Sequence, residues 1–518
     1  MTAPPRRFVR FGIAVVVLLV VAGGLALALY RPTHPLPDMP PLPPEPPEAS
    51  SEDVHRMCSA CHAYPPPDTF PRADWRKEVA QAFNFFHQDL HYRFAHPPLE
   101  SVVRYYEARA PESLPFVPPT GPTTPPVRFD KKAFLAPNEL ASKSPGVANV
   151  ALGHLFHKDK TDVIVCDSLN KQVLVFKPYE TEPEWMPLVK GLTCVHAEVV
   201  DLDGDGIPDV ILACIGDFYA NDHRVGSVVW LKGAADGSFT PITLIDGLGR
   251  VADVRAANFM GSGKLDLVVA EFGWHVSGSI LLLENQTTDW SHPKFVSHVL
   301  DDRHGTTHVP VADMNGDGKP DFVACISQEH ETVVAFINEG GGKFKKETVF
   351  TAPQPTYGSN GVVLADVNNN GKIDVVYTNG DSLDSPFLLR PEHGITWLEN
   401  KGTYPFTPHR LADCYGAVSP VVADFDCNGL PDIAFVTFLP GDLFPQRAEL
   451  KLDAVVLLSQ TSPGKFVRHA LETVSCDHLT CAAGDWSGSG RPDLVIGNYV
   501  KGGRPGPIVK MWKNLGKP

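Results

Sequence analysis

Residues 201–214 read DLDGDGIPDVILAC, a run of oxygen side chains followed by an apolar run. The stretch begins like the calcium loop of an EF-hand, because three aspartates at alternate positions precede Gly206 at the sharp turn. An EF-hand also requires a bidentate Glu at position twelve and a following helix, whereas position twelve here is Leu212. The residues after Asp209 are short and β-branched, and they predict a buried strand.

The loop recurs along the chain, with 47 to 61 residues between successive copies. Further copies start at Asn258, Asp313, Asp366, Asp424 and Asp485, and a degenerate copy starts at His154. The degenerate copy keeps only the closing aspartate, Asp162. β-rich runs flank every copy, and helical periodicity is almost absent. Seven units of four short strands predict a mainly β protein built as a seven-bladed β-propeller.

The last unit stops at VKMWKNLGKP, with no room for its outermost strand. The run VRFDKKAFLA, from Val127, has this character but precedes the first unit. We expect it to complete the last blade and leave no long unpaired edge. The repeats resemble the FG-GAP/VCBS family over residues 127–518. The resemblance implies a seven-bladed propeller with calcium between the first two strands of a blade.

Calcium binding requires six or more oxygen ligands, so a carboxylate or amide at loop positions one, three, five and nine is the relevant signal. Four loops have the full set: Asp201, Asp203, Asp205 and Asp209; Asp313, Asn315, Asp317 and Asp321; Asp366, Asn368, Asn370 and Asp374; Asp424, Asp426, Asn428 and Asp432. Ser487 and Ser489 weaken the loop at Asp485, and Met260 weakens the loop at Asn258. The alternative is that Asp and Gly only form tight turns, although turns alone do not need the closing Asp.

The N-terminal 30 residues predict export. Three arginines precede about twenty apolar residues, enough to cross a bilayer. This charge pattern predicts a cytoplasmic segment 1–10, a transmembrane anchor 11–30 and a remainder on the periplasmic or extracellular side. A cleaved signal peptide ending near Ala28 is the alternative, and the pair Arg6-Arg7 is a weak twin-arginine signal. The protein is expected to be exported whether the segment is an anchor or a cleaved signal peptide.

Proline-rich segments divide the exported part. Residues 31–50 contain nine prolines and predict an extended spacer, and residues 113–126 form a second linker. Between them, residues 51–112 are predicted to form a small helical domain, and residues 127–518 form the propeller. The net charge of −15 and the absence of a basic run argue against nucleic acid as a partner.

The helical segment contains the motif C-x-x-C-H at Cys58, Cys61 and His62, which is the attachment site of c-type haem. Two thiols one helical turn apart add to the two vinyl groups, and the adjacent histidine reaches the iron. A zinc site is the first alternative, but a second cysteine pair is missing. A thioredoxin-like redox pair is the second, but no βαβ pattern surrounds it. A chance match is the third.

Residues 50–112 resemble a small class I cytochrome c domain. Its predicted helices lie in SEDVHRMCSACH, DWRKEVAQAFNFF and LESVVRYYEARAP, the last two with apolar residues on one face. Such domains usually supply a distal methionine, but none follows Met57 here; the local alternatives are His87, His91 and His96. Each is also an ordinary candidate for a surface histidine. The fusion as a whole resembles cytochrome-c-fused VCBS proteins of bacteria such as planctomycetes.

The face opposite the calcium loops is expected to carry any ligand site. Residues five before each loop mark the entry of the innermost strands: Asn149, His196, Asp253, His308, Gly361, Ser419 and Thr480. Neighbouring loops add further polar and aromatic residues, and the candidate ligand face comprises His196, Asp253, His308, Trp274, His275, Glu329 and His330. Metal or carbohydrate binding is one reading, and a water-filled channel lined by polar groups is the other.

The sequence thus predicts a membrane-anchored c-type cytochrome that transfers electrons to a redox partner protein. Its cofactors are haem c and Ca²⁺, and its propeller binds a partner, an extracellular carbohydrate or another small molecule. The alternatives are a propeller oxidoreductase that passes substrate electrons to the haem, and a carbohydrate-binding adhesion module. No nucleophile with a paired base is legible, so catalytic residues are not assigned.

Overall fold

The computed structural model describes residues 46–60, 62–89, 95–121, 123–137, 143–384 and 386–517. Helical structure among them is confined to short elements: α1 Ser51–Cys58, α2 Trp75–Asn84, α3 Leu99–Glu107, 3₁₀ turns at Pro67–Thr69 and Pro445–Arg447, and a π turn at Phe85–Asp89. Ser50 caps the start of helix α1, because its hydroxyl accepts the Asp53 N–H at 3.1 Å. The predicted helices at the N-terminal side of the propeller are therefore present, with shorter bounds.

The helices pack around an aromatic core. Trp75, Val79 and Phe83 of α2 are buried on one face, as the helical spacing predicts. The indole of Trp75 stacks on Tyr106 of α3 with ring centroids 3.7 Å apart. Val103 of the same helix is fully buried. Burial of these large side chains holds three short helices together that would not be stable alone in water.

The described residues downstream form seven antiparallel sheets arranged as successive blades. Blade 1 comprises β2 Val147–Gly153, β3 Asp162–Asp167, β4 Gln172–Phe176 and β5 Trp185–Lys190, and blade 2 comprises β6 Cys194–Val200, β7 Asp209–Cys214, β8 Gly226–Gly233 and β9 Phe239–Leu248. Blade 3 comprises β10 Val251–Ala257, β11 Asp266–Glu271, β12 Ser279–Asn285 and β13 Phe295–Asp301. Blade 4 comprises β14 Thr306–His308, β15 Val311–Ala312, β16 Asp321–Ile326, β17 Thr332–Gly340 and β18 Lys343–Thr351.

Blade 5 comprises β19 Ser359–Ala365, β20 Asp374–Asn379, β21 Gly394–Glu399 and β22 Thr407–Asp413, and blade 6 comprises β23 Ala417–Ala423, β24 Asp432–Thr437, β25 Asp453–Ser462 and β26 Lys465–Thr473. Blade 7 comprises β27 His478–Gly484, β28 Asp493–Asn498, β29 Pro507–Asn514 and the N-terminal strand β1 Phe129–Leu135. Strand β1 pairs with β29, so residues from both sides of the repeat array share one sheet. The predicted closure of the ring is confirmed, and the seven-bladed fold with it.

Each second strand is buried along its whole length, because it lies between two neighbouring strands and two neighbouring blades. The innermost strand of blade 4 is divided into β14 and β15 by Pro310, which has no N–H to give to the sheet. In blade 2, Cys194 and Cys214 lie directly opposite each other on β6 and β7 and form a disulfide.

Within the described part of the chain, no helix has the length and apolar character needed to cross a membrane. The predicted anchor at residues 11–30 lies outside the described residues, as does the spacer up to residue 45. The second proline-rich segment runs over the propeller, where the Val117 N–H donates to the Tyr415 hydroxyl at 2.6 Å. Thr120 donates from its hydroxyl to Asp453 at 2.6 Å.

Candidate functional site

The closing aspartate of each loop is a buried backbone staple. In blade 2, one Asp209 oxygen accepts the Leu202 N–H at 3.0 Å, and the other accepts the Gly233 N–H at 2.7 Å. The first bond fixes the loop, and the second fixes the end of the third strand of the blade. Equivalent pairs of bonds are made by Asp266, Asp321, Asp374, Asp432 and Asp493. The closing Asp therefore has a structural role even where the other calcium ligands are missing.

The predicted calcium ligands converge in two of the loops. Carboxylate oxygens of Asp201, Asp203 and Asp209 lie within 4.8 Å of one another, and so do those of Asp424, Asp426 and Asp432. In both loops the first aspartate also accepts backbone N–H groups of the turn, for example from Gly206 at 2.9 Å. These donor sets fit a hard divalent cation.

The predicted ligands of the loops also contact other groups of the protein. Asp313 accepts the Gly318 N–H at 2.8 Å, as the first aspartates of the other loops do. The amide of Asn368 donates to Glu399 at 3.3 Å. In the first full loop, the ammonium of Lys232 contacts Asp203 and lies 3.0 Å from Asp205. A lysine thus already partly neutralises the most acidic loop. Calcium binding at these loops stays a prediction.

The ring of seven entry residues corresponds to one repeated structural position. The innermost strand of every blade shifts register at this residue, as at Asn149, His196 and Thr480. Several of these side chains bond to the backbone of the next blade: Asn149 to the Ala197 N–H at 3.2 Å, Asp253 to the Val309 N–H at 2.9 Å, Ser419 to the Cys481 N–H at 3.0 Å and Thr480 to the Val150 N–H at 3.3 Å. The ring therefore connects blades.

Asp253 is the electrostatic centre of this ring. Burial opposes its ionisation, but Arg255, His196 and His308 outweigh burial and hold its pKa well below the usual range. Arg255 Nε lies 3.0 Å and His196 Nε2 3.3 Å from the carboxylate, and His308 Nδ1 lies 3.7 Å away. Burial, reinforced by Arg255, lowers the pKa of His196 to about 3. The structure thus brings the predicted residues His196, Asp253 and His308 together, and the Asp253 carboxylate accepts backbone N–H groups from Val254 and Val309.

A second polar cluster joins the connection between β13 and β14 to the loop between β16 and β17. His304 Nε2 is 2.9 Å from Glu329 Oε2, and His330 completes a group whose ligand atoms all lie within 4.8 Å. Burial opposes ionisation of Glu329, but His304 outweighs it and lowers the pKa of Glu329 to about 2. Glu329 and His330 belong to the predicted ligand face, whereas His304 was not among the predicted residues. The signal was the sequence DDRHG in the connection that faces the SQEHE loop.

The helical domain packs against the loops of this same face. The ring of Phe85 meets His275 edge-on with centroids 5.0 Å apart, and Trp274 packs on His275 at 3.9 Å. Buried Arg390 donates to the Thr69 carbonyl at 3.3 Å. The contacting loops join second to third strands or successive blades, whereas the calcium-type loops join first to second strands. The helices therefore lie on the face opposite the calcium-type loops.

The C-x-x-C-H motif begins at the end of α1. Cys58 is the last residue of this helix and packs partly buried against the aromatic core, and Cys61 lies outside the described residues. His62 Nδ1 lies 2.7 Å from the Ala63 carbonyl. Because a carbonyl only accepts, Nδ1 carries the hydrogen, and in the neutral imidazole Nε2 therefore keeps its lone pair for a metal.

A cavity of about 550 Å³ lies between the last and first blades, beside the degenerate loop. Aromatic and charged side chains line it, including Tyr179, Trp486, Lys132 and Lys513. No sequence motif marks this cavity, because its walls come from both ends of the repeat array.

Comparison with known families matches residues 201–269 and 313–377 to the FG-GAP-like repeat. No curated protein matches the sequence. Two structures of virginiamycin B lyase from Staphylococcus aureus are 11% and 12% identical, each aligned over 74% of this chain and 99% of theirs with a TM-score of 0.44. The Dos1 propeller is 12% identical over 71% of this chain and 78% of its own, with a TM-score of 0.41. From the blades and the matched segments, the chain is a seven-bladed propeller with FG-GAP-like repeats.

Proposed function

We propose that the protein is an exported c-type cytochrome whose calcium-stabilised propeller binds a partner or ligand. The observation that carries the proposal is the hydrogen bond from His62 Nδ1 to the Ala63 carbonyl at 2.7 Å. This bond selects the tautomer in which Nε2 is free to ligate, and such an outer contact is what orients a metal-bound histidine. The residues present therefore fit a haem c held by Cys58, Cys61 and His62.

The chain's own residues have three tasks toward that group. Cys58 and Cys61 would attach it, His62 would supply a nitrogen ligand, and the buried, stacked rings of Trp75 and Tyr106 would limit the access of water to the domain interior. When bound, haem iron supplies one-electron transfer. The membrane anchor at residues 11–30 and the outward location belong to the same proposal, because this haem is attached outside the cytoplasm.

Of the three local histidines, His96 is the one that would be the candidate for a second nitrogen ligand. Its Nδ1 donates to the Pro97 carbonyl at 2.9 Å, which leaves Nε2 with its lone pair, the same arrangement as at His62. Its ring is partly buried and packs against Phe83 and Phe86, both at 5.2 Å between centroids. His87 is exposed, and His91 lies outside the described residues. Two histidine ligands would give a lower potential than a Met/His pair.

A second candidate function is a propeller oxidoreductase that passes substrate electrons to the haem. The specific observation in its favour is the contact between Phe85 and His275, which puts the helical domain against the loop face rather than on the calcium side. A substrate bound among these loops would lie next to the helical domain. The redox partner that receives the electrons would then approach the outer side of the helices.

The haem assignment is tested by producing the full chain in a host competent in cytochrome maturation. We expect a coloured protein whose denatured polypeptide retains the haem mass, and loss of that mass when Cys58 and Cys61 are both replaced by Ala. Colourless protein with the mass of bare polypeptide would refute the proposal. Replacing His96 with Ala should convert the absorption spectrum from low-spin to high-spin, and His87→Ala is the matched control that should not. Reduction of the haem by an added sugar or alcohol would favour the oxidoreductase.

A further inference from the structure

We propose that His304, Glu329 and His330 form a binding site for a divalent first-row transition metal of the zinc class. The three ligand atoms come from two separate connections and converge within 4.8 Å of one another. Two imidazoles and one carboxylate form a donor set suited to zinc, and not to the calcium of the loops on the opposite face.

The backbone explains how adjacent residues serve one centre. Neighbouring side chains of an extended strand point to opposite faces, so Glu329 and His330 would diverge in a strand. Here they lie in a tight turn flanked by Gln328 at φ 56° and Glu331 at φ 41°, both in the left-handed region. Left-handed backbone is uncommon for such residues and costs free energy, so the packed loops around it must hold the turn.

His304 is fixed from the other side by close packing. Gly278, at φ 126°, lies so near that a Cβ there would be 2.5 Å from the Cβ of His304. The side chain of His304 is 15% exposed and that of Glu329 30% exposed, so the group is sheltered but reachable by solvent ions. The neighbouring cation, Arg303, is occupied by a bidentate bond to Asp301 at 2.8 and 2.9 Å. The Asp301 carboxylate therefore offsets part of the Arg303 charge next to the site.

Three protein ligands leave a further coordination position. Structural zinc sites are closed by four protein ligands, whereas catalytic sites keep one position for water or substrate. His330 Nε2 is buried and has no hydrogen-bond partner among the described residues, so this nitrogen carries a desolvation cost that a ligand could offset. The site accordingly takes an oxygen-donor ligand, such as water or a hydroxyl or carboxylate of a substrate. It does not depend on haem attachment.

The experiment is titration of the full chain with Zn²⁺ by calorimetry in excess Ca²⁺, which saturates the hard-cation loops. We expect one Zn²⁺ equivalent that is weakened roughly 100-fold by His330→Ala and by the near-isosteric Glu329→Gln, since even outer partners of a metal site contribute 10- to 100-fold. His298→Ala is the matched control, because His298 forms the same 2.9 Å pair with Glu284 but has no third ligand among the described residues.

Copper provides a second readout. Cu²⁺ bound in place of Zn²⁺ should show hyperfine coupling to two nitrogens in its electron paramagnetic resonance spectrum, and to one nitrogen in the His330→Ala variant. The proposal is overturned if the wild type binds no Zn²⁺, if both site variants bind as it does, or if His298→Ala loses the same equivalent. Equal thermal melts of wild type and Glu329→Gln establish that the fold is retained. A haem-free but zinc-binding protein would refute the proposed cytochrome alone.

Discussion

Replacing the closing aspartate of one propeller loop should destabilise the protein whether or not that loop binds calcium. Asp432 is fully buried and accepts the N–H groups of Phe425 at 3.0 Å and Gln460 at 2.7 Å. Asp266 makes equivalent bonds at 2.8 and 2.9 Å in the loop where Met260 occupies a ligand position. The two sites share the staple and differ in the expected metal, so comparing them separates the two roles.

The size of the effect follows from the number of N–H groups that lose their partner. Asp432→Ala leaves two buried N–H groups unsatisfied, and each costs about 1–3 kcal/mol, so the expected loss is about 4 kcal/mol. Asp432→Asn keeps one acceptor and turns its NH₂ toward the other N–H, so roughly 2 kcal/mol is expected. Because the geometry is the same, Asp266→Asn should lose a similar amount.

The assay is the free energy of unfolding from urea denaturation, measured in chelator and again in calcium. In chelator, both Asn variants should unfold at lower urea with an unchanged slope. In calcium, the wild type and Asp266→Asn should gain the same stability by mass action, and Asp432→Asn should gain less because one ligand is altered.

The refuting result is specific. If Asp266→Asn matches the wild type in chelator, the staple contributes nothing and the closing Asp acts only as a metal ligand. The control is Asp236→Asn, an exposed turn residue that accepts bonds from Ser238 alone; it should change the free energy of unfolding by less than about 1 kcal/mol.

Three other predictions concern calcium, pH and the domain contact. Chelation of calcium should lower the thermal midpoint of the propeller, and an unchanged midpoint would contradict metal binding by the loops. Burial raises the pKa of Glu198 to about 7, so as pH rises from about 4.5 the unfolded chain loses this proton first and the free energy of unfolding falls until about pH 7, by at most about 3 kcal/mol. Glu198→Gln keeps an acceptor for the Ala256 N–H and should flatten this part of the pH profile; a wild-type profile in the variant would refute the assignment. Arg390→Ala removes the bond to Thr69 and should speed proteolysis within residues 113–126, whereas exposed Arg504→Ala should not; equal rates would show that Arg390 does not hold the helices.

The local and repeated features of this protein were predictable from its sequence. The number and spacing of the loop copies predicted seven blades, and the β-rich run VRFDKKAFLA was predicted as the strand that completes the last sheet. The buried faces of the helices followed from 3.6-residue periodicity, as Val79 and Phe83 show. The residue five before each loop, predicted as the entry of the innermost strand, coincides with a register shift that the structure shows there. These features depend on short-range periodicity, which a sequence displays directly.

Contacts between distant segments were decided by the tertiary structure. The partner of Asp432 at Gln460 is 28 residues away, and Arg390 meets Thr69 across 321 residues. His304 joins Glu329 across 25 residues because a turn with left-handed backbone bends one loop toward another. Residue types indicated which chemistry was available, but convergence depends on how blades stack and where loops turn. Those positions arise from packing of the whole ring, and no local pattern encodes them.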